Sequence, residues 1–152
     1  MNGFKVLVAD DDESIALVLD EFFADKGVEC LKALDGVEAA RLIGDPGVRL
    51  ALLDINMPGK HGLEILKDVK EGADSPAVII MTAESTMENT LEAMKRGAFD
   101  YLTKPFDLEE LDIVVERAIE NVRLKEKLST VTERLRERLE SETVFVGRSR
   151  AV

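Results

Sequence analysis

The sequence holds one cysteine and one histidine in 152 residues, and positive charge is in short supply. A lone Cys30 excludes an intramolecular disulfide and any cysteine-rich zinc site. Within Val28-Glu29-Cys30-Leu31 it reads as a half-buried strand residue rather than a reactive thiol. His61 lies in Gly59-Lys60-His61-Gly62 with no second histidine or cysteine to complete a zinc site, and it is expected to be solvated. The 20 Lys and Arg against 31 Asp and Glu leave a net charge of −11, which disfavours wholesale electrostatic binding to nucleic acid. An acidic domain can still be joined to a DNA-binding one in a longer chain. No apolar run is long enough to span a membrane, and no basic-then-apolar signal segment opens the chain. The expected compartment is therefore a reducing cytoplasm. With no P-loop, other glycine-rich phosphate cradle or helix-turn-helix pattern, ATP hydrolysis and DNA reading by those means are not expected. What is present is 45% hydrophobic and 34% charged, a composition suited to one soluble globular domain with a modest extension.

Five short apolar runs, at 4–9, 28–31, 50–53, 77–81 and 99–102, alternate with segments of helical spacing at 15–25, 37–43, 63–69 and 87–95. Gly27, Asp45-Pro46-Gly47 and Gly97 mark joints between them. The third and fourth runs alternate little, as strands covered on both faces do. Repeated strand-helix units with right-handed crossovers give a parallel sheet with helices on both sides, a doubly wound α/β fold. Met57, Met81, Met87 and Met94 read as packing residues rather than cofactor ligands.

From Leu108 to about Glu142 neither proline nor glycine interrupts a strongly helical composition. Thirty-odd helical residues would extend roughly 50 Å, longer than a small domain is wide. Leu111, Val115, Ala118 and Val122 fit an inward face on the sheet. A second register follows in Leu124, Leu128, Val131, Leu135 and Leu139, mixed with charges of both signs. It reads as a short coiled coil and predicts a dimer. After Ser141 the pattern breaks into Val144-Phe145-Val146-Gly147-Arg148-Ser149, which reads as the start of a further domain.

The chemistry gathers at strand ends. Asp10 and Asp11 end the first strand, Asp54 the third and Thr82 the fourth, while Lys104 follows the fifth. The carboxyl edge of a parallel sheet makes such positions neighbours in space. Carboxylates crowded together repel unless a cation joins them. Asp11, Asp54 and a backbone carbonyl from the loop after Asp54 suit octahedral Mg²⁺ completed by waters. A cation there would hold an incoming phosphoryl oxygen beside Asp54, which can act as nucleophile and form an acyl phosphate. Lys104 supplies a positive charge for another phosphoryl oxygen, and the Thr82 hydroxyl a donor for a third. Each element alone has a simpler reading: Asp10-Asp11-Asp12 as a helix cap, Thr82 as another, Lys104 as a surface lysine. A cis peptide bond at Lys104–Pro105 would be a device for aiming the lysine inward.

Val6-Leu7-Val8-Ala9-Asp10-Asp11-Asp12-Glu13, Asp54-Ile55-Asn56-Met57-Pro58-Gly59, Met81-Thr82-Ala83 and Lys104-Pro105-Phe106 together resemble the receiver domain of two-component response regulators. The likeness runs from about Phe4 to Ile119, with motifs in order and at the right spacing. It implies a flavodoxin-like or CheY-like five-stranded sheet of order 2-1-3-4-5 with five helices. It implies phosphorylation of Asp54 by the phosphohistidine of a sensor histidine kinase, with Mg²⁺ held by Asp11, Asp54 and the Asn56 backbone carbonyl. Asp10 would act through metal-bound water. Tyr101 matches the aromatic switch position that turns inward as Thr82 moves toward the phosphoryl group; without the resemblance it reads as an ordinary strand-end residue. Asn56 and Glu84, two residues beyond Asp54 and Thr82, would flank the path of an attacking water and give a short-lived phosphoryl group.

The segment 98–106, the long helix and Val146-Gly147-Arg148-Ser149 are similar to NtrC-type activators, in which a receiver and linker helix precede an AAA+ ATPase acting on sigma-54 RNA polymerase. The implied organisation is a receiver at 1–120, a linker helix at 121–142, and the start of an AAA+ domain at 143–152. Dimerisation through the linker, and the receiver surface, would carry the signal. A haloacid-dehalogenase-like phosphatase is the enzyme alternative, with Asp10 as nucleophile and Asp12 as acid. It leaves Asp54 and Met57-Pro58-Gly59 unexplained. Other outputs, a stand-alone regulator or a phosphorylation-independent interaction domain, complete the alternatives. His61 is not a credible phosphodonor.

Overall fold

The computed structural model describes residues 4–69, 75–83 and 87–150, the side chains of 87 and 141–150 excepted. Strands β1 (Lys5–Ala9), β2 (Glu29–Ala33), β3 (Val48–Asp54), β4 (Ala77–Thr82) and β5 (Asp100–Thr103) alternate with helices α1 (Glu13–Asp25), α2 (Gly36–Leu42), α3 (Gly62–Asp68), α4 (Met87–Lys95) and α5 (Leu108–Arg150). All strand pairs are parallel, in the order β2-β1-β3-β4-β5. The order reverses between β1 and β3, and a crevice at the carboxyl edge follows from that reversal.

Strand periodicity sorts the core into two halves. Val6, Val8, Leu50, Leu52, Ile79 and Met81 pack with Leu19 and Phe23 of α1 and Leu111, Val115 and Ile119 of α5. Their neighbours Leu7, Ala51, Leu53, Val78 and Ile80 pack with Ala39 of α2, Ile65 and Leu66 of α3 and Ala93 of α4. Every residue of β3 and β4 is buried, as the unbroken apolar runs require of strands covered on both faces. Phe23 and Leu19 are fully buried, each worth roughly 2–3 kcal/mol of transfer free energy. Met57 and Met81 join the core, but Met94 is exposed on α4, whose inward side is carried by Ala93.

Asp12 caps α1, its Oδ1 accepting the Ser14 N–H at 2.9 Å. The α1 helix closes before Gly27, whose φ of +72° and N–H to the Ala24 carbonyl at 2.9 Å make a left-handed stop. His61 is half-buried rather than solvated, because its Nδ1 accepts the Leu63 N–H at 3.2 Å and caps α3. Lys26 at the end of α1 reaches Asp112 at 2.7 Å and Glu116 at 2.6 Å on α5.

The inward face of α5 ends at Val122, and residues 123–140 are exposed throughout. The helix continues to Arg150, past the end near Glu142 expected from sequence. Among residues 108–150 no proline removes a backbone donor, and one glycine is too small a penalty to stop a helix. At 43 residues it is about 65 Å long. The buried Arg49 at the amino end of β3 holds Glu126 at 2.8 Å, fastening the helix to the sheet where it departs.

Candidate functional site

The strand register assembles the rim. Ala9 pairs with Leu53, Asp54 with Met81, and Thr82 with Thr103. Backbone bonds extend the ladders just past the strand ends. Asp10 N–H donates to the Ala33 carbonyl at 3.1 Å, Ile55 N–H to Met81 at 2.9 Å, and Lys104 N–H to Thr82 at 2.7 Å. Residues 10, 54, 82 and 104 are thereby fixed at one edge, although nearly a hundred positions separate the first from the last.

Asp10, Asp54 and Thr82 are buried, while Asp11 is exposed. One carboxylate oxygen from each of Asp10, Asp11 and Asp54 lies within 4.8 Å of the others. The Lys104 ammonium bridges two of them, 2.6 Å from Asp10 Oδ2 and 3.3 Å from Asp54 Oδ2. Asp10 Oδ1 accepts the Asp12 N–H at 2.9 Å, and Asp54 Oδ1 the Asn56 N–H at 3.3 Å. The Lys104–Pro105 peptide bond is cis.

Burial pushes the Asp54 carboxyl above the ordinary aspartate range. The Lys104 charge opposes that shift, and the Asp10 charge adds to it. Burial pulls Lys104 down, but its hydrogen bond to Asp10 and the charges of Asp10 and Asp54 outweigh it, so the net direction is up. Two acids and one lysine thus share a charge deficit that a cation would relieve.

The donors are all hard oxygens, which suits a divalent cation such as Mg²⁺ rather than a soft metal. Both oxygens of Asp10 and both of Asp54 have partners within the protein, those of Asp54 at the longer distance of 3.3 Å, and Asp11 is the exposed carboxylate of the three. Asn56 is exposed at the mouth of the site. Tyr101 is half-buried, its ring packed against the cluster containing Val78, Ala93 and Ala98. Glu84 lies outside the described residues. Asp10, Asp11, Asp54 and Lys104, expected at one edge from the sequence, are adjacent there. The Asp12 and Asn56 backbone donors were not legible in the sequence, because a main-chain N–H leaves no mark on it.

The family described as the response regulator receiver domain matches residues 6–116. The chain is 43% identical over 114 residues to the DNA-binding transcriptional regulator NtrC of Escherichia coli (strain K12), covering 75% of this chain and 24% of that protein. It is 36% identical over 124 residues to the regulatory protein AtoC of the same strain, covering 82% of this chain and 27% of that protein. The chain thus spans about a quarter of the length of these curated relatives. Among solved structures, NtrX from Brucella abortus shares 32% identity at a TM-score of 0.74, covering 84% of this chain and 29% of that one. The receiver domain of the Francisella response regulator 1452 shares 37% at 0.66, covering 82% and 98%.

Proposed function

The chain belongs to the response regulator receiver family, and from that premise we propose that Asp54 is a Mg²⁺-dependent phosphoacceptor, phosphorylated by a sensor histidine kinase. The observation that carries this reading is the Lys104 ammonium set between Asp10 and Asp54 beside Asp11, a poised charge cluster at the sheet's carboxyl edge. Asp11, Asp54 and the Asn56 backbone carbonyl would hold the cation, with Asp10 acting through water. When bound, the cation supplies charge to offset carboxylate repulsion and to orient a phosphoryl oxygen.

The chain's own residues do the rest. An Asp54 carboxylate oxygen attacks phosphorus, a P–O bond forms, and the P–N bond of the phosphohistidine breaks, leaving an acyl phosphate on Asp54. Lys104 turns from Asp54 to a phosphoryl oxygen, and the Thr82 hydroxyl donates to another. Tyr101 then packs inward behind Thr82, shifting the surface of α4 and β5. Asn56 and Glu84 tune hydrolysis by water.

The exposed seam Leu124, Leu128, Val131, Leu135 and Leu139 supports an output through a homodimer, with 121–142 as linker. The likeness to NtrC and AtoC supports a role in transcription regulation, with an AAA+ ATPase that serves sigma-54 polymerase as the output. The expected compartment is the cytoplasm; no helix among the described residues is long and apolar enough to cross a membrane.

Incubation with Mg²⁺ and acetyl phosphate, followed by mass spectrometry, tests the reading. One phosphoryl group is expected on the Asp54 peptide. No gain, or an equal gain on Asp54→Ala, would overturn it.

A further inference from the structure

The first residue of α2 is a glycine that its own backbone does not require. Positive φ among the described glycines is confined to Gly27, Gly59 and Gly97, so Gly36 is conformationally ordinary. It is the buried first residue of α2, directly after the Asp35 cap. The reason for it lies in another segment. A Cβ on Gly36 would stand 2.5 Å from the Lys60 nitrogen and 2.6 Å from the Lys60 carbonyl carbon. Both are backbone atoms, so no rotamer change makes room. The Gly36 N–H donates to the Pro58 carbonyl at 2.9 Å. Asp35 holds the turn that presents it, its Oδ1 accepting the Glu38 N–H at 2.8 Å.

The segment received is the loop 55–61 between Asp54 and α3. Its start hangs from β4 through Ile55 N–H to Met81, and its end returns on itself through Gly62 N–H to the Ile55 carbonyl at 3.1 Å. A Cβ on Gly62 would stand 2.6 Å from the Asp54 carbonyl oxygen, so this end is close-packed too. Asn56 lies between, with its N–H on Asp54 Oδ1. The loop is gripped on one flank by α2 and at its end by the first turn of α3.

We propose that Gly36 is a positioning residue for the phosphorylation site. By admitting the Lys60 backbone against α2, it sets the path of the loop that carries the Asn56 carbonyl and steadies the Asp54 carboxylate. The inference rests on the Mg²⁺-dependent reading above. It makes α2, which offers no side chain to the site, part of the frame that holds the cation.

Mg²⁺ titration of the whole chain by calorimetry, with circular dichroism to confirm folding, tests this. Gly36→Ala should bind Mg²⁺ roughly tenfold or more weakly, the scale of losing a ligand's support. Gly44→Ala should bind as the unaltered chain does, since its Cβ would meet only the Arg41 carbonyl at 3.6 Å. Unchanged binding by a folded Gly36→Ala would overturn the inference alone. Should that variant not fold, hydrogen exchange of the Gly36 amide in the unaltered chain decides. Slowing on Mg²⁺ saturation is expected because its acceptor is on the loop, and an unchanged rate would overturn the inference. Absence of Mg²⁺ binding by the unaltered chain would instead overturn the reading beneath it.

Discussion

The Lys104 ammonium stands 2.6 Å from Oδ2 of Asp10, a carboxylate with no solvent-exposed surface. A buried charge left without its partner is among the costlier defects a fold can carry. Lys104→Ala should therefore destabilise the chain by about 3 kcal/mol or more, read by urea denaturation. Adding Asp10→Ala should recover part of the loss. Additive effects of the two substitutions would show that the pair contributes nothing as a pair.

Asp54 has the opposite sign. Its carboxyl is raised chiefly by burial, so between the unfolded and folded pKa values the folded chain binds more protons and stability falls as pH rises. Asp54→Asn should then gain on the order of 1 kcal/mol at neutral pH, seen as a Tm a few degrees higher. The advantage should shrink as pH falls through the folded pKa of Asp54, where the wild-type carboxyl is protonated as well. A constant gap across pH would show that the charge is not its source.

Mg²⁺ should raise the Tm of the unaltered chain. At a hundredfold excess over its dissociation constant the gain is about 2.7 kcal/mol. Asp11→Asn should lose most of that gain while keeping its stability without the ion, because Asp11 is exposed. An equal Mg²⁺ shift in the variant would remove Asp11 from the ligand set.

Leu128 and Leu135 are exposed on α5, so changing them costs the monomer little. Leu128→Asp with Leu135→Asp should move sedimentation toward monomer and leave Asp54 phosphorylation intact. Unchanged association would place any dimer contact elsewhere.

Burial pushes the Cys30 thiol up to about 12. At neutral pH it is a protonated thiol, and alkylation by iodoacetamide should be slow until the chain unfolds. Labelling at the rate of a free thiol in the folded state would contradict that burial.

Much of this was written in local sequence. Apolar runs broken by Gly27, Pro46 and Gly97 placed the strands, and an acid directly after Ala9 and Leu53 placed the rim, because both signals span only a few residues. The inward stripe of α5 and the exposed seam beyond Val122 were equally legible as a change in helical register. Less legible were features made by residues distant in sequence. His61 caps α3, Arg49 is buried by pairing with Glu126 seventy-seven positions away, and Gly36 is small for the sake of Lys60.

The sequence alone determined which residues carry charge, which segments are strands and which strand ends bear acids, since these depend on spacing along the chain. Only the tertiary structure decided that Lys104 bridges Asp10 and Asp54, that Asp10 spends both oxygens inside the protein, and that α2 braces the loop after Asp54. Those relationships are set by strand order and register, which bring together groups that no local pattern connects.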